Sequence, residues 1–329
     1  MTLNLVNIVS NLPMLAPLGG KDGFYNYIHN ECLCDGAEVI SCPPYGTEIV
    51  RGCAKGYHLI FYPNWIDFYN GNTDYLKEHF GSEQSWREYY LCANADEFEK
   101  QIVADMDRAQ DLGVEYAVFH CADISNEEVL GGYTIHSNEE IIRNTANLLN
   151  RVTRGRRYKF KLLIENLFVP GMTLMNSDET ELMLGLIEYE NKGIMLDTGH
   201  LMGALRLSGR LTAQNEEGAA DAIADVIAAH SRVKSSIRGI HLHKCSLTMP
   251  VEEYKKPIVP KGTFDEISAQ CYARIMALDT HAPLETGAMN RIINELNPDF
   301  IVHELSAHTI KDKADAVKKQ LKSFRGCCP

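Results

Sequence analysis

The sequence lacks the marks of several large protein classes. No apolar run approaches the roughly 20 residues that a membrane-spanning helix needs. The stretch from Met1 to Val9 has no basic start and no long apolar centre, so no secretory signal is visible and the expected compartment is the cytoplasm. No G-x-G-x-x-G follows the first candidate strand and no Walker A loop occurs, which removes two common phosphate-cradling folds. Internal repeats and low-complexity linkers are also missing. The long loops carry no stripe of Lys and Arg, and 32 basic residues stand against 44 acidic ones, a net charge of −12. That balance weighs against a nucleic-acid partner, because phosphate contacts need clustered cations. It leaves room for a local positive site made by metal ions.

What is present is an ordinary globular composition, 45% hydrophobic and 23% charged over 329 residues, which we expect to fold as one domain spanning residues 1–329. Ten cysteines are many for such a chain. Cys32 and Cys34 form a C-x-C and Cys327 and Cys328 are adjacent, but neither pair has a second pair at zinc-ribbon spacing. Reduced thiols are expected.

Short β-rich runs alternate with helical patterns almost throughout. Candidate strands are Leu3–Val9, Ala37–Cys42, Tyr57–Tyr62, Glu115–Cys121, Phe160–Asn166, Gly193–Thr198, Ile237–His243 and Phe300–Leu305. Helix starts are legible between them. Ser137 and Glu140 form a capping box, Asp96 and Glu99 precede a helix that Gly113 stops, Ser177 and Asp178 open another, and Ala219 to Ala229 is Ala-rich. Eight strands with intervening helices predict a parallel (β/α)₈ barrel, with a doubly wound sheet as the alternative. Pro63 to Ser85, rich in aromatics, and Cys245 to Asp265 read as long loops, the kind that form lids or substrate walls.

In such a barrel the chemistry collects where strands end. Those ends deliver His58 (strand 3, near its start), His120 (strand 4), Glu165 (strand 5), Asp197 and His200 (strand 6), His241 and His243 (strand 7) and Glu304 (strand 8). Each residue alone has a bland explanation as a packing histidine or a helix-facing acid. Together they would make a crowded and costly site unless cations were bound. Mixed His and Asp/Glu donors suit zinc, manganese or iron(II).

Glu165-Asn166, Asp197-Thr-Gly-His200, His241-Leu-His243 and Glu304 resemble the metal-site series of the xylose isomerase-like barrels. That superfamily includes sugar isomerases and epimerases and the endonuclease IV type of abasic-site nuclease. The resemblance runs from about strand 3 to strand 8, with Asp-x-x-His as its most specific element. It implies one to three divalent ions. In the sugar-converting branch one ion would sit on Glu165, Asp197, His241 and Glu304, with Glu165 and Glu304 as an acid–base pair. The trinuclear nuclease branch needs more donors, and His58, His120, His200, Asp279 and His281 fill those positions, so all nine can be occupied. His243 has no matching ligand role there. It is expected to support the ligands or touch substrate, or else to take the place of His241. Asn166, beside Glu165, and Trp65, in the aromatic loop, are expected in the same supporting or substrate-contacting roles. A His-x-His pair also marks amidohydrolase barrels, but on their first strand rather than the seventh.

Nine donors point first to hydrolysis of a phosphoester or phosphodiester in a small or nucleotide-like metabolite, with Glu165 and Glu304 as catalytic residues. A single-metal sugar or sugar-phosphate isomerase is the alternative, and an abasic-site DNA endonuclease ranks below both. A binding protein with a structural metal would need only four closed ligands. Arg151, Arg154, Arg156 and Arg157 cluster before strand 5, at the end opposite the expected site.

Overall fold

The computed structural model describes residues 1–325; Cys327 and Cys328 lie outside them. Eight strands, β1 (Leu3–Val9), β2 (Gly36–Ile40), β3 (Ala54–His58), β4 (Tyr116–His120), β5 (Lys161–Glu165), β6 (Lys192–Asp197), β7 (Ile237–His241) and β8 (Phe300–His303), pair in sequence order. All pairs are parallel and β8 returns to β1, so the sheet closes into a barrel. The doubly wound alternative is thereby excluded. Helices alternate with the strands, as a (β/α)₈ barrel requires.

Strand alternation divides each strand between two environments. Leu162 and Ile164 of β5 pack outward into the large core shared with the helices. Leu163 turns inward, where Leu5, Tyr116, Val118, Met195, Phe300 and Val302 fill the barrel interior. Large and small residues interlock in this plug. A Cβ on Gly56 would lie 2.2 Å from the Tyr116 ring, and one on Gly239 would lie 2.7 Å from Met195. Glycine is therefore needed there for volume.

Local signals act largely as expected. The Ser137–Glu140 capping box forms and opens the helix Asn138–Thr153. The helix Ala95–Leu112 ends at Gly113 with φ 72°, but Asn94, not Asp96, accepts the Glu97 amide at its start. Asn176 likewise caps Ser177–Leu186, and Asn215 caps Glu216–Ala229.

Two expectations are corrected. Strand 3 runs over Ala54–His58 instead of Tyr57–Tyr62, so His58 ends it. The apolar run after it leaves the sheet, with Ile60 N–H given to buried Asp105 at 2.6 Å. Nor are the two long stretches structureless. Residues 63–85 contain the helices Ile66–Tyr69 and Thr73–Phe80 and lead into Glu83–Tyr90, while Val251–Tyr254 is helical in the second stretch. Aromatic packing explains the first case: Phe68 stacks on Tyr90 with centroids 4.0 Å apart, and Trp65 stacks on Phe98.

This aromatic insert follows β3 and is tied to the segment after β4. Asp123 accepts the backbone N–H groups of Trp65 and Ile66 at 2.7 and 2.9 Å. His136 pairs with Asp67 at 3.1 Å, and His79 with Glu127 at 2.7 Å. The Asp67 hydrogen bond lifts the His136 pKa from 6.5 to about 9 despite partial burial. Burial works against the Asp67 charge, but His136 and Asn72 hold its pKa below 3.8. A raised imidazole pKa stabilises the fold fully below 6.5, and that contribution disappears as pH rises through about 9. The Asp67 share disappears only in acid, as pH falls through its lowered pKa. Comparing chemical unfolding of wild type and His136→Gln should therefore give a stability gap of up to about 1 kcal/mol at mildly acidic pH, modest because the pair is partly solvent-screened. The gap should close by about pH 10; a constant gap would show that the loss is packing and not charge.

Candidate metal centre

The inward face of each strand changes character near its C-terminal end. Above Tyr116 and Val118 on β4 comes His120; above Leu163 on β5, Glu165; above Met195 on β6, Asp197; above Gly239 on β7, His241; above Phe300 and Val302 at β8, Glu304. The register places His120 beside Glu165 and Asp197 beside His241. Period-two alternation and a staggered sheet thus turn one donor per strand into a ring above an apolar floor. Three groups of donors emerge, each with its ligand atoms within 4.8 Å of one another: His58, His120 and Glu165; Glu165, Asp197, His241 and Glu304; and His200, His243, Asp279 and His281. All nine predicted ligands are brought together, and His243 joins them.

The first group faces inward with acceptors. His58 Nδ1 lies 3.1 Å from the Leu59 carbonyl, which only accepts, so Nδ1 carries the proton and Nε2 the lone pair in the neutral ring. That Nε2 meets His120 Nε2 at 3.0 Å and Glu165 Oε2 at 3.5 Å; His120 Nε2 is 3.3 Å from the same oxygen. Phe61 packs over His120 with centroids 4.1 Å apart.

The second group shares Glu165 through its other oxygen. His241 Nδ1 lies 3.3 Å from Glu165 Oε1, 3.1 Å from Glu304 Oε2 and 3.7 Å from Asp197 Oδ2. Its orientation is set from below: Nε2 is 3.0 Å from Glu38 Oε2, which also accepts the Tyr116 hydroxyl at 2.8 Å. Glu38 is fully buried on β2 and belongs to no motif, because the first 50 residues carry no metal-site signature. A charged residue inside an otherwise apolar strand was the available clue. Glu38 fixes the His241 tautomer and raises its basicity.

In the third group, His200 Nδ1 gives its proton toward the Asn166 carbonyl at 3.0 Å, and His281 Nδ1 toward the Glu304 carbonyl at 3.0 Å. Both Nε2 atoms then converge on Asp279 Oδ2, at 3.3 and 3.0 Å. His281 reaches this position from left-handed backbone, φ 44°, which is unusual for a residue with a side chain. Asn166 joins β5 to β6: its Oδ1 accepts Asp197 N–H at 2.9 Å and its Nδ2 donates to the Asp197 carbonyl at 3.1 Å. Trp65 stands apart from the donors. It gives its indole N–H to the Ala122 carbonyl at 3.0 Å and lines an apolar cleft with Phe61, Tyr62 and Leu167 that reaches His120.

Electrostatics and unsatisfied atoms agree on what the cluster needs. Burial pushes the Glu165 carboxyl up, but the charges of His241 and His120 hold it well below the usual range. Burial opposes charge on His241 and His200, yet Glu38 and Glu165 beside the first and Asp197 and Asp279 beside the second push both well above an ordinary imidazole. His281, buried but bonded to Asp279, rises to about 9. Protons on the imidazoles are standing in for missing positive charge. Even so, Glu165 Oε2, His241 Nδ1, Glu304 Oε2, Asp279 Oδ1 and His120 Nδ1 are buried without a hydrogen-bond partner. Acceptors that converge without donors are satisfied by cations, so the donor set fits divalent metal.

No curated protein matches the sequence. Among solved structures, a candidate xylose isomerase from Rhodospirillum rubrum superposes with TM-score 0.54 at 9% identity, covering 100% of both chains. A D-tagatose 3-epimerase-like protein gives 0.50 at 16% identity, over 98% of this chain and 97% of the other. Endonuclease IV from Thermus thermophilus gives 0.48 at 15% identity, over 98% of both chains. At such identities these likenesses concern the fold alone. A family model described as xylose isomerase-like TIM barrel matches residues 71–327, most of the chain, and the protein belongs to that family.

Proposed function

We propose that this protein is a divalent-metal-dependent hydrolase acting on a phosphoester or phosphodiester of a small or nucleotide-like metabolite. The observation that supports it most is the division of Glu165 between two donor groups, Oε2 toward His58 and His120 and Oε1 toward His241. A third group, containing Asp279 and His281, adjoins them through His200, whose Nδ1 is 3.2 Å from Glu165 Oε1. Two or three neighbouring divalent ions supply Lewis acidity that activates water and neutralises phosphoryl charge.

The chain's own residues do the rest. Glu165 links the first two groups and orients the attacking water. Glu304, 3.1 Å from His241 on the side away from Glu165, completes the second group. With metal bound, His58, His200 and His281 would be neutral donors through Nε2, since their Nδ1 protons are committed to backbone carbonyls. The narrow apolar cleft beside His120 lines that side of the first group with apolar rings. The arginines at 154, 156 and 157 line a cleft with Tyr158 at the N-terminal end of β5, remote from the donors, which weighs against DNA as the substrate. The single-metal alternative has one supporting observation: Glu165 and Glu304 flank His241 at 3.3 and 3.1 Å, the arrangement of an acid–base pair around one ion.

Elemental analysis of protein purified without chelator, together with assays on a model phosphodiester and on ketoses, tests this function. Two or more ions per chain with phosphodiester hydrolysis is expected. One ion, with His58, His120 and His281 empty and ketose epimerisation, would establish the isomerase instead. Glu165→Gln keeps the volume and removes the charge, so folding should survive while turnover falls by about 10²-fold or more. Asp178→Asn, on an exposed helix start, should be nearly silent. For Glu38→Gln, equilibrium metal titration should show affinity weakened by about 10–100-fold with the fold retained, the usual effect of losing a carboxylate behind a ligating histidine. Unchanged affinity would remove Glu38 from the site.

A further inference from the structure

The Cys245–Asp265 stretch reads in sequence as a substrate wall, yet it contributes no residue to the three donor groups. Instead it forms one side of an open cleft of about 450 Å³, whose lining includes Tyr133, Phe168, Val169, Leu207, Tyr254 and Lys255. Arg274, itself buried, fixes this wall in place. Its Nη1 donates to the Leu130 and Lys256 carbonyls at 3.3 and 3.0 Å, and its Nη2 donates to the Tyr254 carbonyl. Those acceptors are neutral, and neither Arg274 nor Lys255 has a carboxylate within ion-pair distance among the described residues. The one acid in the lining, Glu128, is spent on the backbone N–H groups of Ser125 and Ile135, at 2.8 and 2.6 Å. In a chain of net charge −12, this cleft holds two cations against one acid.

The cleft adjoins the metal centre. Phe168 follows Glu165 by three residues, and its ring centroid is 5.7 Å from that of His200. Ile124 and Val169 line both this cleft and the narrow one beside His120. The helix Thr198–Leu207 carries His200 in its first turn and reaches the cleft at Leu207, about 10 Å further along its axis. A nucleoside extends over a comparable length from its phosphate. Tyr133 offers a flat surface for such an arm. A Cβ on Gly131 would lie 2.5 Å from the Tyr133 ring, so the ring rests against the glycine, and it is 51% exposed.

We propose that this cleft receives the nucleoside arm of a phosphodiester whose phosphoryl group lies at the metal centre, with the base against Tyr133 and Phe168. This rests on the hydrolase function proposed above and names the substrate class within it. Aromatic walls favour a planar ring over a bare sugar, which has no face to stack. The unpaired charges of Arg274 and Lys255 favour a ring that carries acceptor nitrogens and carbonyl oxygens over a purely apolar or a cationic one.

Calorimetric binding of adenosine monophosphate, uridine monophosphate and ribose 5-phosphate to the metal-loaded protein isolates the base, because all three share the phosphate and the sugar. Wild type should hold at least one of the two nucleotides about 5-fold or more tighter than ribose 5-phosphate, the effect of one stacked base. Tyr133→Ala, at a half-exposed position where folding is not at stake, should bring that ratio close to one and leave the affinity for ribose 5-phosphate unchanged. Nucleotides held no tighter than ribose 5-phosphate by wild type, or a preference that Tyr133→Ala leaves intact, would overturn the cleft as the place of the arm; hydrolysis of a model phosphodiester would then still uphold the hydrolase. Failure of all three compounds to bind, with no hydrolysis of the model diester, would overturn both.

Discussion

Four imidazoles surround one buried carboxylate, and the barrel has to hold them there before anything binds. His58, His120, His200 and His241 all lie within 3.5 Å of Glu165. Such a cluster is unfavourable by itself, because each lone pair faces another acceptor in a medium that screens poorly. The fold resists its collapse by tethering three of these rings from behind: the Leu59 and Asn166 carbonyls fix His58 and His200, and Glu38 fixes His241, while Phe61 packs over His120. Preorganisation of this kind is costly in stability and favourable for cation binding, which is a reason to see the cluster as functional rather than as core.

Much of this was legible in the sequence because barrel strands are short and announce their ends. The strand-end histidines and acids were locatable from alternation and from motifs such as Asp197-Thr-Gly-His200. The errors have physical causes. Leu59 to Tyr62 looks more strand-like than Ala54 to Gly56, but barrel interiors reward small residues where Tyr116 needs space, and the apolar run serves the cleft instead. Glu38 escaped because a carboxylate that supports a ligand from beneath has no motif of its own; its partner His241 lies 203 residues away. The motif gave His243 no ligand position, and only three-dimensional packing puts its ring on His281.

The aromatic insert follows another logic. Its sequence is polar and aromatic by turns, which suggested an irregular loop, yet short helices formed because stacked rings and the Asp123 cap supply what local propensity lacks. Trp65 illustrates the difference between lining a cleft and touching the chemistry. Its edge is spent on the Ala122 carbonyl, and it shapes the approach to His120 from the side.

The apolar plug of Leu5, Tyr116, Val118, Leu163, Met195, Phe300 and Val302 also sets the traffic through the molecule. With that floor closed, the barrel is a cup rather than a tube. Whatever reaches Glu165 enters past the rim, and whatever is made there must go out by the same opening. Arrival and departure therefore compete for one doorway, and a product that keeps the substrate's charged group would linger in it, so the pace of emptying is built into the same walls that bring the reactants together.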